Sequence, residues 1–333
     1  MAYITLNKNN FFNNLDIITN HAKSKDKVAI VLKDNAYGHG LLEIASMAKE
    51  YGIKKAVVRS EIEAKKIEKF FEYILVLADY PSEVNDKIRY TINDINSIGK
   101  FTKGTKVELK VDSGMHRNGI DKSELKLAFL KIKKAGLNLE AVFSHHRSAD
   151  ELTSEWFWQN SNFKKIKAEA KKLAKEFGFN SLRFHSANSA SLLRTLDFNE
   201  DMARVGIAVY GCLDANEELL PVLCLYADKI SSRDVKKGQK VGYGATKIIE
   251  KDCTVSNYNF GYADGFFRTL SNNFTTPDAK ELVGRISMDN SSFISEDEKL
   301  LIFNDARVVA PLVGTISYEI LTSLKADLKR EIT

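Results

Sequence analysis

Short, continuously apolar and β-branched runs recur through the first two thirds of the chain, separated by polar or amphipathic stretches. Eight are found: VAIVL at 28–32, KAVV at 55–58, YILVL at 73–77, RYTI at 89–92, VELKV at 107–111, LEAVF at 139–143, LRFH at 182–185 and ARVGI at 203–207. Runs this short and uniformly apolar mark strands buried on both faces, as in a parallel sheet covered by helices. Eight such units predict an α/β fold, a (β/α)8 barrel with its active site at the carboxyl ends of the strands. An open doubly wound sheet is the other arrangement the pattern allows. One covering helix is explicit: Phe163, Ile166, Ala170, Leu173 and Phe177 are spaced 3, 4, 3 and 4 residues apart, with Gly178 where a C-cap belongs.

After Leu220 the texture changes to runs such as VLCLYADKI, YNFGYADG and ELVGRISMD, broken by Gly and Asn and without helical period. This predicts a mostly β second domain, with a charged, helix-like tail near 317–330. The domains are placed at 1–218 and 219–333, and residues 1–10, with their strand-like AYITL, can pair with the second.

Composition narrows the function. With 333 residues, 44% hydrophobic, the chain buries a sizeable core without staples. A formal charge of +5, from 49 Lys+Arg and 44 Asp+Glu, is too small to imply nucleic acid without a local basic cluster, so a small-molecule substrate is expected. Cys212, Cys224 and Cys253 form no CxxC pair and are odd in number, which indicates neither a disulfide framework nor a cysteine-built metal site. The N-terminus lacks the features of a signal peptide, and no apolar stretch approaches the roughly 18 residues of a membrane span, so a cytoplasmic chain with no membrane partner is expected. Neighbouring His145 and His146 on a strand point to opposite faces, and His21 and His39 stand alone, so no metal is expected. There is no GxxxxGK[ST], GxGxxG or GxSxG.

The sharpest chemical signal is VAIVLKDNAYGHG, where a buried strand runs into Lys33 and a Gly-containing turn holding Tyr37 and His39. Lys33 is either a strand-end lysine reaching to solvent or a partly desolvated amine suited to a Schiff base with a carbonyl. Further along lie ELKVDSGMHRNG, FSHHRSADE, HSANSA, ARVGIAVYG, KVGYGAT, GYADGFFR, GRISMDN and TISY. These nine segments, collinear over roughly 28–320, resemble the motifs of the alanine racemases, fold-III pyridoxal-phosphate enzymes.

The resemblance implies a cofactor, pyridoxal 5′-phosphate, and a residue-by-residue assignment. Lys33 would hold the cofactor and act as one base, and Tyr243 of the other subunit as the second, helped by His145. Arg204, oriented by His185, would meet the pyridine nitrogen; otherwise it is a buried structural ion pair. Tyr37, Ser189, Gly206, Ile207 and Tyr318 would bind the phosphate. Arg117 would take the substrate carboxylate. Lys110 would be carbamylated, the alternative being an ordinary lysine paired with Asp112 or another carboxylate. Tyr262 and Met288 would line the entrance from the partner, although Tyr262 also reads as a packed turn aromatic. A head-to-tail homodimer with shared sites follows, racemising alanine and supplying D-alanine for peptidoglycan. A racemase of wider range, a non-catalytic cofactor carrier and a fold-III decarboxylase are the rivals. The chain departs from the common pattern at Asp34, His116 and Val205, where a small residue, a glycine and a proline are usual.

Overall fold

The computed structural model describes residues 2–214 and 218–333. Two compact units emerge: one of Asn14–Asp34 and Ile44–Val209, the other of the residues through Asn13, Asn35–Glu43 and Tyr210–Thr333. The chain opens on strand β1 (Tyr3–Leu6), which belongs to the second of these.

The first unit is built on eight parallel strands: β2 (Val28–Val31), β3 (Lys55–Val58), β4 (Tyr73–Val76), β5 (Ile88–Ile92), β6 (Lys106–Lys110), β7 (Asn138–Phe143), β8 (Arg183–His185) and β9 (Ala203–Val205). Each apolar run in the sequence falls on one of them. Their order is β8-β7-β6-β5-β4-β3-β2-β9. Between β8 and β9 the round is closed by two backbone bonds, Asp201 N–H to Phe184 O at 3.1 Å and Arg204 N–H to Ala187 O at 2.9 Å. The sheet is therefore a nearly closed barrel of the TIM type, and the open-sheet alternative falls. Helix Glu155–Phe177 covers its outside with Phe163, Ile166, Ala170 and Leu173 buried, and ends at Gly178 in the left-handed conformation (φ 73°).

The second unit is mostly β. Strand β1 lies antiparallel to β10 (Leu223–Val235) and parallel to the last strand of the chain. Beyond β10 come the short hairpin β11 (Lys240–Val241) and β12 (Lys247–Ile248), then β13 (Cys253–Tyr258), β14 (Ser291–Ile294), β15 (Lys299–Phe303) and β16 (Lys329–Ile332). The 13-residue β10 shifts register between Lys229 and Ser231, so its one end pairs with β1 and β15 and its other with β13. Tyr258, Phe260, Phe266, Phe274 and Phe293 fill the core.

The tail near 317–330 corrects the sequence expectation. A helix occupies only Ser317–Ser323, and the charged KREI that follows is strand β16. The charges are tolerated because β16 is an edge strand, its residues half-buried or exposed. A second helix, Ala306–Val313, begins at Asp305, whose carboxylate accepts from Arg307 N–H at 2.9 Å.

Candidate active site

The carboxyl ends of the barrel strands carry Lys33, Lys110, His145, His185, Ser189, Arg204, Gly206 and Ile207, as a barrel enzyme requires. Lys33 begins a five-residue helical turn, Lys33–Tyr37, that is left-handed: φ is 55° at Asp34, 56° at Asn35, and 53° at both Ala36 and Tyr37. Four consecutive non-glycine residues in this region cost about 1–2 kcal/mol each, so neighbouring groups must hold them there. Glu63 grips the start, its Oε1 accepting from Asp34 N–H at 2.7 Å and its Oε2 from Arg59 N–H at 2.8 Å. Asn35 closes the end, its backbone oxygen accepting from Gly40 N–H at 3.0 Å and its Oδ1 from Leu41 N–H at 2.9 Å. Lys33 is half-buried, its Nζ 3.8 Å from Asp34 Oδ2; the same carboxylate meets Arg59 Nη1 at 3.3 Å.

Lys110 ends β6 and is half-buried. Burial, then the charges of Arg204, Arg117 and Lys33, push its pKa down to about 8, with Asp112 opposing. Asp112 does not pair with it within 4 Å. Its carboxylate instead shapes the next loop, Oδ1 accepting from Gly114 and Met115 N–H and Oδ2 from His116 N–H, all at 2.8 Å. His116 sits at φ 54°, a conformation for which glycine is the cheapest residue, and His116 Nδ1 lies 3.2 Å from Asp112 Oδ2. Arg117 follows, exposed.

Arg204 is buried on β9 over the ring of Phe143, 5.0 Å from its centroid. Nη1 donates to His185 Nδ1 at 2.5 Å, and Nη2 to Ser144 O at 2.7 Å and His145 Nδ1 at 3.3 Å. Burial lowers its pKa to about 10, which leaves it a cation at neutral pH. Among the described residues no carboxylate lies within ion-pair distance of it, so the structural ion pair weighed from sequence does not form. His185 in turn meets Glu108 Oε2 through Nε2 at 2.9 Å. Burial holds both His185, at about 4, and His145 below the ordinary imidazole pKa, so both are neutral.

At the end of β9, Ser189 Oγ accepts from Gly206 N–H at 3.0 Å and Ala208 N–H at 3.4 Å, which directs its own proton outward. The buried Ile207 N–H has no partner among the described residues. The second unit holds the other phosphate candidates, Tyr37 and Tyr318, with ring centroids 5.7 Å apart.

That unit also brings its three remaining candidates together. Tyr243 lies in the turn Tyr243–Ala245 between Gly242 and Gly244, both at positive φ. A Cβ on Gly242 would stand 3.2 Å from Arg285 N, so close approach to the GRISMDN segment needs glycine there. Tyr262 N–H donates to Ser287 O at 3.0 Å and Ala263 N–H to Met288 O at 2.9 Å, pinning GYADG to the same segment. Tyr243, Tyr262 and Met288 are 67%, 43% and 54% exposed, so Tyr262 is not the packed turn aromatic of the alternative reading.

Two residues escaped sequence reasoning. Glu63, anchoring the left-handed turn, is indistinguishable in sequence from any first-turn helix glutamate. Glu108 carried a signal: in VELKV it stands two residues from Lys110, on the same face of the strand.

Residues 6–214 match the family model for the N-terminal domain of alanine racemase and residues 222–332 that for its C-terminal domain. Curated relatives named alanine racemase include one from a Nitratiruptor species, 44% identical over 99% of both chains, and one from Campylobacter curvus, 42% identical over 99% of both. Among solved structures, the alanine racemase of Bacillus anthracis with bound L-Ala-P superposes with a TM-score of 0.86 at 28% identity, covering 100% of this chain and 95% of that one. The alanine racemase of Bartonella henselae with covalently bound pyridoxal phosphate gives 0.84 at 25%, covering 100% and 99%. On these matches along its whole length, the chain belongs to the alanine racemase family of isomerases.

Proposed function

We propose that this chain interconverts L- and D-alanine with pyridoxal 5′-phosphate by a two-base mechanism, in a homodimer whose sites each draw on both subunits. The observation that carries the reading is the state of Arg204: a buried cation with Nη1 and Nη2 spent on the protein and no partner for Nε–H among the described residues. That donor suits a pyridine nitrogen and the unpartnered Ile207 N–H suits a phosphate oxygen, so the residues present fit the cofactor. When bound, the cofactor supplies the electron sink that makes the substrate α-proton removable.

Lys33 Nζ would hold the cofactor through its carbonyl carbon and serve as the base that carries the proton on one face of the α-carbon. Tyr243 Oη of the second subunit would carry it on the other face. Exposure of Tyr243 with Tyr262 and Met288 supports a surface completed by a second copy, with the last two at the entrance. His145 would assist Tyr243 as a base. Neutral His145 accepts from Arg204 at Nδ1, which leaves Nε2–H to donate to the phenol oxygen and favour its ionised form. Arg204 keeps its proton at neutral pH and only donates, so a ring nitrogen facing it would stay unprotonated, which would restrain the electron sink and favour racemisation over transamination or decarboxylation. Arg117 would bind the substrate carboxylate through its planar fork. Ser189, with its hydroxyl polarised by Gly206 N–H, would join Tyr37, Ile207 and Tyr318 at the phosphate. A carbamate on Lys110 would neutralise the local excess of positive charge. The three free cysteines fit a cytoplasmic setting, with D-alanine destined for peptidoglycan.

The test is a chiral assay of the pyridoxal-phosphate-loaded protein against L-alanine, L-serine and L-lysine. Conversion confined mainly to alanine is expected. Comparable conversion of all three indicates a racemase of wider range, and bound cofactor without conversion indicates a carrier.

A further inference from the structure

The barrel interior below Arg204 is not the usual layer of branched apolar side chains but a column of charge. Glu108 stands at its centre with no solvent exposure. Its Oε1 accepts from Tyr73 Oη at 2.7 Å and Arg183 Nη2 at 2.9 Å, and its Oε2 faces His185 Nε2 at 2.9 Å. The base is stiff: Arg183 and Arg89 lie against the Tyr73 ring, each 4.9 Å from its centroid, and both bind Glu140. The β6–β7 pairing shifts register beside Glu108, which puts Glu140 out of the ladder.

We propose that Glu108 is a positioning residue for Arg204: its carboxylate keeps the His185 proton on Nε2, which leaves Nδ1 as the acceptor that holds the guanidinium. A guanidinium only donates, so His185 Nδ1 must present a lone pair to Arg204. A carboxylate only accepts, so His185 Nε2 must carry the proton. One neutral tautomer satisfies both contacts, and the opposite tautomer breaks both. His185 has no room to choose another partner, being fully buried and stacked on Phe143 with centroids 4.8 Å apart. Burial alone would raise the Glu108 pKa, but its Arg183, Tyr73 and His185 contacts outweigh it and keep the group ionised.

A consequence distinguishes this role from simple charge balance. In Glu108→Gln the amide oxygen would remain with the donors Tyr73 and Arg183, turning the NH2 toward His185. That draws the lone pair to Nε2 and sends the proton to Nδ1, against Arg204. The guanidinium then loses its short bond, and with it the fixed direction of Nε–H.

The meaning for catalysis rests on the reading that Arg204 meets the cofactor's ring nitrogen, so the experiment has two parts. The first is 15N NMR of the histidine side chains in the cofactor-free protein, with His185 assigned by substitution. Wild type should show His185 neutral and protonated at Nε2, and Glu108→Gln should move the proton to Nδ1. Tyr73→Phe, which removes a donor from Oε1 and leaves the His185 contact, should keep the wild-type tautomer. The second is a pyridoxal 5′-phosphate titration followed by absorbance, where Glu108→Gln should weaken binding about 10-fold or more, by analogy with the loss when a partner behind a metal-ligating histidine is changed. Tyr73→Phe should weaken it far less. Wild-type His185 protonated at Nδ1 or on both nitrogens overturns the proposal, as does equal behaviour of the two variants. Should Glu108→Gln fail to fold, the wild-type tautomer and Tyr73→Phe still decide. A wild-type protein with the expected tautomer that binds no cofactor overturns the reading of Arg204 and supports the tautomer lock alone.

Discussion

Arg330 grips the carbonyl oxygen of Gly38 with two N–H groups, Nε at 3.0 Å and Nη2 at 2.8 Å. Gly38 is the residue at which the left-handed turn ends, and there a Cβ would stand 1.9 Å from Leu321 O. The guanidinium also bonds the carbonyls of Ala326 and Leu328. The strand that closes the chain thus holds the end of the segment carrying Lys33 and Tyr37, and helps offset a backbone conformation that four side chains disfavour.

Arg330→Ala should therefore destabilise the protein by about 2–3 kcal/mol, the range for charge-assisted hydrogen bonds lost where one acceptor, Gly38 O, belongs to a buried residue. It should also weaken pyridoxal 5′-phosphate binding. Arg330→Lys, with one compact ammonium in place of a planar fork, should recover less than half of either loss. Urea unfolding and cofactor titration measure both; an unchanged midpoint and affinity in the alanine variant would dismiss the clamp.

The two proposed bases separate by isotope exchange. Lys33→Ala should lose the visible absorbance of bound cofactor together with all activity. Tyr243→Phe should retain the absorbance but lose exchange of the α-proton of L-alanine in deuterated water by about 10²–10⁴-fold, the usual contribution of a general base, while exchange from D-alanine persists. Equal exchange of both enantiomers by Tyr243→Phe would remove it as a base.

What was legible in the sequence has a physical pattern. All eight barrel strands could be read because strands buried on both faces are nearly unbroken apolar runs, and the helix through Phe163 and Leu173 because its stripe repeats over several turns. Strand β16 was misread because Lys329–Ile332 is a short edge strand with no apolar face to show. The left-handed turn has no signature either: of its residues only Asp34 and Asn35 belong to types that enter that region readily. The candidate residues of the site came from motif resemblance, whereas Glu63 and Glu108 stand behind them, and a single carboxylate in a helix or strand reads equally as surface or support.

The left-handed histidine at 116 tests how much such strain costs. His116→Gly should remain within about 1 kcal/mol of wild type, since relief of φ 54° is offset by greater freedom of the unfolded chain. His116→Val, β-branched, should cost about 1–2 kcal/mol more. Gly114→Ala should be the worst of the three, because at φ 131° its Cβ would fall 2.1 Å from the Trp158 ring. Thermal unfolding ranks them, and a valine variant as stable as the glycine one would show that the loop is not held left-handed.

Lys110, with its pKa near 8, is about one quarter neutral at pH 7.5, where an ordinary lysine is about one part in a thousand. The neutral amine can attack carbon dioxide: an N–C bond forms, one N–H proton leaves to water, and an anion replaces a cation among Arg204, Arg117 and Lys33. A carbamate carbon signal from 13C-bicarbonate is expected in the wild-type protein and absent from Lys110→Arg. Fully active wild-type enzyme without that signal would leave Lys110 an unmodified amine.

The buried histidines predict the response to acid. His39, His146 and His185 are each held at a pKa of about 4, chiefly by burial, against about 6.5 in an unfolded chain. His39 donates from Nδ1 to Tyr37 O at 3.0 Å and stacks on Tyr210 with centroids 4.3 Å apart, so its neutral form is the one that fits. Between pH 6.5 and 4 the unfolded chain binds these protons and the folded one does not, so stability is fully present above 6.5 and falls as pH drops toward 4. Each histidine contributes on the order of 2 kcal/mol to the loss between pH 7 and 5. Glu108 extends it lower, because a folded pKa of about 2 against about 4.5 unfolded removes its stabilisation as pH falls through that range. Urea midpoints should drop steeply from pH 7.5 to 5.0, and His39→Asn, whose side-chain N–H can replace Nδ1–H without titrating, should flatten the slope by about one proton. A wild-type midpoint that holds steady across that interval would mean the histidines are not buried neutral in solution.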